Sequence, residues 1–135
     1  MTNILNILKT KVIAVIGVSK DENKYGFKVF KDLLSKNLKV YGVNPNADFV
    51  LDRKIYKKIS EIPEKVDLVI TVVPPNVTEK IVAQCKALGI NEIWMQPGSE
   101  SEEAIKKAEN LGIKVTYNAC IMIETKDRKD ENDIM

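Results

Sequence analysis

Gly17-Val18-Ser19-Lys20 ends an apolar run and opens a polar loop. Gly17 has no Cβ to obstruct a turn. The backbone N–H groups of Val18 to Lys20, with the Ser19 hydroxyl, can then bond a phosphate near the next helix start. Lys20 and Lys24 are the basic residues of this loop. The dinucleotide fingerprint G-x-G-x-x-G is not met, because Ser19 holds the second glycine position and Gly26 comes too late. A tight turn that holds no ligand is the other reading of the segment.

Four more apolar runs end in residues able to meet a ligand. After Leu38–Val43 comes Asn44-Pro45-Asn46. An NAD site places Asp or Glu about 20 residues past the glycines to bind ribose hydroxyls. No acid lies between Leu33 and Ala47, and Asp48 falls beyond the turn. A phosphorylated ribose would be repelled by an acid there and tolerates Asn or Lys; a plain Asn-Pro turn is the alternative. Val73-Pro74-Pro75 gives a flat apolar surface for an adenine or an extended ligand arm, or else a rigid strand-to-helix turn. Gln96-Pro97-Gly98 places a polar group at a strand end, while Trp94 reads as core. Asn118 and Cys120 end the fifth run. A thiol there could act as a nucleophile or redox partner if helix ends or lysines lowered its pKa. Cys85 lies on an apolar helix stripe and reads as packing.

Composition narrows the chemistry. The chain of 135 residues has no histidine, which removes Ser-His-Asp and Cys-His catalysis, histidine-based zinc sites and phosphohistidine. The two cysteines form no metal motif and suit a reduced, cytoplasmic compartment. A net charge of +2 implies neither a nucleic-acid nor a membrane partner. Basic residues do gather at Lys24, Lys28 and Lys31, and again at Arg53, Lys54, Lys57 and Lys58. These read mainly as solvated faces, with a few able to meet a phosphate. The first residues are too short and polar for a signal peptide. No catalytic set is identified.

The elements that must position these residues alternate. A short helix over 2–8 precedes strands at 11–17, 38–43, 67–73, 90–96 and 113–117. Phe27, Phe30, Leu33 and Leu34 mark a helix over 24–36, stopped at Asn37. Val77, Ile81, Cys85 and Leu88 mark a second, and Ile105, Ala108 and Leu111 a third; Gly89 and Gly112 stop them. Asn76 with Glu79, and Ser99 with Glu102, have capping-box spacing. The stretch 46–65 reads as irregular, with one helical turn near Ser60. The pattern predicts an α/β, Rossmann-like, doubly wound and mainly parallel five-stranded sheet with helices on both faces. The expected domain spans 1–125, and 126–135 reads as a charged, disordered tail. In such a sheet all five strand ends line one edge, where ligands bind.

In this order and spacing, "IAVIGVS", "VYGVNPN", "SEIPEKVDLVITVVPP", "GINEIWMQPGSESEEA" and "GIKVTYNACIMIE" resemble the stand-alone CoA-binding domain family. That family is related to the N-terminal CoA-binding domain of the succinyl-CoA synthetase alpha subunit. The resemblance runs from about Ile4 to Thr125 and implies coenzyme A or an acyl-CoA as the small-molecule ligand. It implies that Gly17, Val18, Ser19 and Lys20 hold the CoA phosphates and that Asn44, Pro45 and Asn46 border the 3′-phosphorylated adenosine. Val73, Pro74 and Pro75 would meet adenine or pantetheine, Gln96, Pro97 and Gly98 would follow the path to the thiol, and Asn118 and Cys120 would stand near its end. Family members often place an arginine after the serine; here Lys20 and Lys24 are the loop's basic residues. The synthetase's histidine-bearing domain has no counterpart in this sequence, so ligase activity is not implied. The expectation is a CoA carrier or sensor, against an NAD(P)-binding redox protein or an interaction module with a decayed pocket.

Overall fold

Val12–Ile16 is apolar throughout, which suits a strand covered on both faces. In the computed structural model, which describes residues 3–126, this strand lies at the centre of one sheet. The elements run α1 (Ile4–Leu8), β1 (Val12–Ile16), α2 (Tyr25–Ser35), β2 (Lys39–Val43), β3 (Phe49–Val50) and β4 (Arg53–Tyr56). A 3-10 turn (Ile59–Glu61) follows, then β5 (Leu68–Thr71), α3 (Pro75–Ala87), β6 (Glu92–Met95), α4 (Glu102–Asn110), β7 (Lys114–Thr116) and α5 (Ile121–Glu124). The sheet order is β3-β4-β2-β1-β5-β6-β7. Every pairing is parallel except β3 with β4.

The period of two along β1 sorts the core. Ile13 and Val15 face Phe30 and Leu33 of α2, with Leu5, Leu8 and Ile121 from the two short helices. Ala14 and Ile16 face Ile81, Val82 and Cys85 of α3, with Ala104 and Ala108 of α4. Phe30 and Leu33 are completely buried, each contributing about 1.5–3 kcal/mol through apolar burial. β1 pairs with β2 on one side and β5 on the other. The chain therefore winds outward in both directions from β1, and the crevice at the carboxyl ends of these strands is the switch point.

The α/β architecture, the helices and the turn near Ser60 stand as read from the sequence, except that Leu88, read as the end of the α3 stripe, lies past the helix and is exposed. The stops at Asn37, Gly89 and Gly112 also fall as expected, each at positive φ. The strand count differs, being seven rather than five. β3 and β4 arise from the stretch read as irregular. Their hairpin turns through Leu51 and Asp52, both at positive φ, as a primed two-residue turn requires. Leucine is a poor advertisement for that conformation, so the turn carries no sequence signal. Helix α5 was not anticipated either.

Both expected capping boxes are replaced. Helix α3 starts after Pro74 with Pro75 at its first position and no capping side chain, so Asn76 lies inside the first turn. Helix α4 is capped by Ser101, whose hydroxyl accepts the Ala104 N–H at 3.0 Å. Ser99 is buried instead, its hydroxyl 2.9 Å from that of Thr71 and 2.8 Å from the Gln96 carbonyl. A buried hydroxyl satisfied by the ends of β5 and β6 is unavailable as a cap. The expectation for the tail beyond Lys126 lies outside the described residues. Among those residues no helix is long and apolar enough to cross a membrane.

Candidate functional site

Gly17 sits at φ +103°, closely backed by the end of β5. A Cβ there would collide with the Val72 carbonyl oxygen and lie 2.8 Å from Val73 Cγ1. Its own N–H donates to the Val43 carbonyl at 2.9 Å, and the Val18 N–H points to the same oxygen at 3.4 Å. Val18 thus turns inward: its side chain is fully buried and its N–H is directed into the protein. Ser19 and Lys20 follow with N–H groups that meet no acceptor among the described residues. The Ser19 hydroxyl accepts the Asp21 N–H at 3.0 Å, which fixes the loop. Helix α2 then begins with Lys24 at its N-cap and no side-chain cap. Its first N–H groups have no intrahelical partner, and they lie beside the same loop.

Gly26 has a role that its late place in the sequence conceals. A Cβ on Gly26 would overlap the Gly17 carbonyl oxygen and approach the Ser19 nitrogen to 3.3 Å. In the dinucleotide fingerprint the third glycine permits close packing of helix on strand. Gly26 does this across a longer loop.

Asn44 braces the opposite wall. Its Nδ2 donates to the Val18 carbonyl at 2.6 Å, and its Oδ1 accepts the Asn46 N–H at 2.8 Å. Its backbone N–H donates to the Tyr56 carbonyl at 2.9 Å, which ties β2 to β4. With its groups engaged this way, Asn44 shapes the wall. Pro45 and Asn46 form an exposed rim.

Between these walls lies a cleft of ≈ 480 Å³. Of the residues singled out from sequence, Gly17, Ser19, Lys24, Asn44, Pro45, Asn46, Val73 and Pro74 line it. The chain adds Lys57 and Lys58, which leave β4 into the cleft, and an apolar floor of Ile59, Val77 and Ile81. None of the lining residues is acidic. Lys20 is exposed and Pro75 opens α3; neither lines the cleft.

Asp48 and Glu61 line a separate groove of ≈ 560 Å³ on the outer side of β4, with Phe49, Lys54 and Tyr56. Asp48 binds the Lys57 ammonium at 2.8 Å. That hydrogen bond, followed by the charge of Lys57 and, more weakly, of Lys20, holds the Asp48 carboxyl below its usual range. Glu61 accepts the Lys57 backbone N–H at 3.0 Å.

The remaining predicted residues form a second group at the ends of β6 and β7. Gln96 is buried, and its Oε1 accepts the Ile121 N–H at 2.6 Å while its Nε2 lies 3.5 Å from Cys120 Sγ. Trp94 is core, as read, and its Nε1 donates to the Ala119 carbonyl at 2.9 Å. Asn118 turns at φ +60°, and Pro97 and Gly98 are exposed. Gln96 and Cys120 are therefore neighbours, but neither they nor Pro97, Gly98 or Asn118 line the cleft. Cys120 is half-buried, whereas Cys85 is fully buried and its thiol is pushed up to about 12 by burial. Among the described residues no group of His, Cys, Asp or Glu is placed to hold a metal.

Residues 11–126 match the model of the CoA binding domain. The chain belongs to this family. It is 39% identical over 101 residues to an ADP-forming acetate–CoA ligase II of Archaeoglobus fulgidus, covering 73% of this chain and 15% of the ligase. It is 34% identical to the alpha subunit of the ADP-forming acetate–CoA ligase II of Pyrococcus furiosus, covering 82% of this chain and 27% of that subunit. The chain thus spans less than a third of either relative. Among solved structures, a conserved hypothetical protein from Pyrococcus furiosus superposes with a TM-score of 0.81 at 41% identity. That match covers 85% of this chain and 99% of the other, so the fold recurs there over nearly the whole of the other chain.

Proposed function

We propose that this CoA binding domain holds coenzyme A, free or acylated, in the cleft between the Gly17 loop and the end of β4, and performs no ligase step of its own. The observation that carries the reading is the lining. Three lysines and no acid surround a cleft backed by a glycine turn and an uncapped helix start. Such a surface favours a ligand with several phosphates. The Ser19 N–H and Lys24, with the free N–H groups at the start of α2, can hold the pyrophosphate. The apolar floor and Val73-Pro74 suit the adenine or the pantetheine arm.

The ligase step is excluded from the proposal on chemical grounds. No histidine is available to carry a phosphoryl group. Binding, presentation and protection of the cofactor are what these side chains can do, and a carrier or sensor role fits that chemistry. The NAD(P) reading is disfavoured by the same lining. A carboxylate aimed at ribose hydroxyls would have to come from Asp48, which faces the outer groove and is bonded to Lys57.

Isothermal titration with CoA tests the proposal. The wild-type protein should bind with one-to-one stoichiometry. Ser19→Glu should weaken binding by about tenfold or more, since its carboxylate would compete with the pyrophosphate for the loop N–H groups. Equal affinity in the two proteins would remove the pyrophosphate from this loop.

A further inference from the structure

The two lysines that leave β4 differ in what holds them. Lys57 is bonded to Asp48 at 2.8 Å and to the Ala47 carbonyl at 3.2 Å, so its charge is largely answered within the protein. Lys58 borders the same cleft and makes no ion pair among the described residues. Asp48 and Glu61 line the outer groove, and no acid lines the cleft. The Lys58 ammonium is therefore a cleft cation with no ion-pair partner among the described residues, and so is Lys24 on the Gly17-loop side. Two such cations lining one cleft fit a ligand with phosphate at two separated places.

We infer that Lys58 selects for a phosphate on the ribose 3′-carbon, and so distinguishes CoA from its dephosphorylated form. The inference rests on the reading of the cleft as a CoA site. Its physical basis is position and charge. The Gly17 loop occupies the pyrophosphate side, which leaves the ribose beside the ends of β2 and β4. A phosphate there meets the Asn46 rim, the Lys58 ammonium and no opposing carboxylate. An ammonium without an internal partner gains more from that phosphate than one already neutralised.

The test is a pair of titrations, CoA and dephospho-CoA, into wild type, Lys58→Gln and Lys57→Gln. Both residues are exposed, and thermal melting verifies that each variant folds. Wild type should bind CoA about tenfold more tightly than dephospho-CoA. Lys58→Gln should bring the two affinities to within about twofold by weakening CoA alone. Lys57→Gln should leave most of the wild-type preference. If Lys58→Gln keeps the full preference, or if wild type has none while binding CoA, Lys58 is not the selector and the CoA reading stands. If wild type binds neither ligand, the CoA reading falls and the role of Lys58 falls with it.

Discussion

Gly26, on the first turn of α2, packs directly against the carbonyl of Gly17 at the end of β1. This approach draws the start of α2 onto the strand end, beside Ser19. Two opposing effects decide what a methyl group would do there. Alanine is the better helix former, by about 1 kcal/mol. Its Cβ would also be forced into a backbone carbonyl, and overpacking costs about 1–3 kcal/mol or more. Gly26→Ala should therefore destabilise the protein in urea denaturation. A variant as stable as wild type would show that helix and strand can separate freely at this point.

Asn44 joins three segments through one side chain and one N–H. Asn44→Ala removes the bonds to Val18 and Asn46, each worth about 1 kcal/mol. The protein should remain folded, with a loss of about 1–3 kcal/mol, and should bind CoA less tightly because the cleft wall is no longer braced. Unchanged stability and affinity would reduce Asn44 to a turn residue.

Thr78 is fully buried on α3, and its hydroxyl has no hydrogen-bond partner among the described residues. An unsatisfied buried hydroxyl costs about 1–3 kcal/mol. Thr78→Val keeps the shape and removes the penalty, so its melting temperature should rise. A fall would mean that the hydroxyl is satisfied in solution.

Tyr41 on β2 donates its phenol to Glu64, and this bond, with burial and the Glu64 charge, pushes the phenol up to about 12 from about 10. The folded state holds the proton more tightly than the unfolded state, so the stability is present below pH 10 and is lost as pH rises towards 12. Absorbance titration should show a late phenol ionisation that Tyr41→Phe removes. No change in that step would detach Tyr41 from Glu64.

The sequence makes the architecture legible because β1 and β5 are too apolar for anything but doubly covered strands, and because the helix stripes end at residues fit to stop them. Half of the cleft was legible for the same reason, since strand ends converge at a switch point. The other half was hidden by local chemistry. Lys57 and Lys58 are legible only as members of a basic group; which of its members reach the cleft depends on β4, and β4 follows a turn through Leu51-Asp52 that carries no glycine or asparagine. Gly26 is missed by counting spacing, since its role depends on distance to Gly17 across a loop of variable length. Gln96 directly follows β6, while Cys120 lies past β7 at the start of α5; both strands lie farther along the sheet, and the strand-end rule does not measure how far.

Coenzyme A and NAD at matched concentration, compared by thermal melting, test the central claim most directly. At a hundredfold excess over its dissociation constant, a ligand specific to the folded state adds about 2.7 kcal/mol. For a chain of this size that is a shift of several degrees. The acid-free cleft predicts such a shift with CoA and much less with NAD. A strong shift with NAD and none with CoA would contradict it.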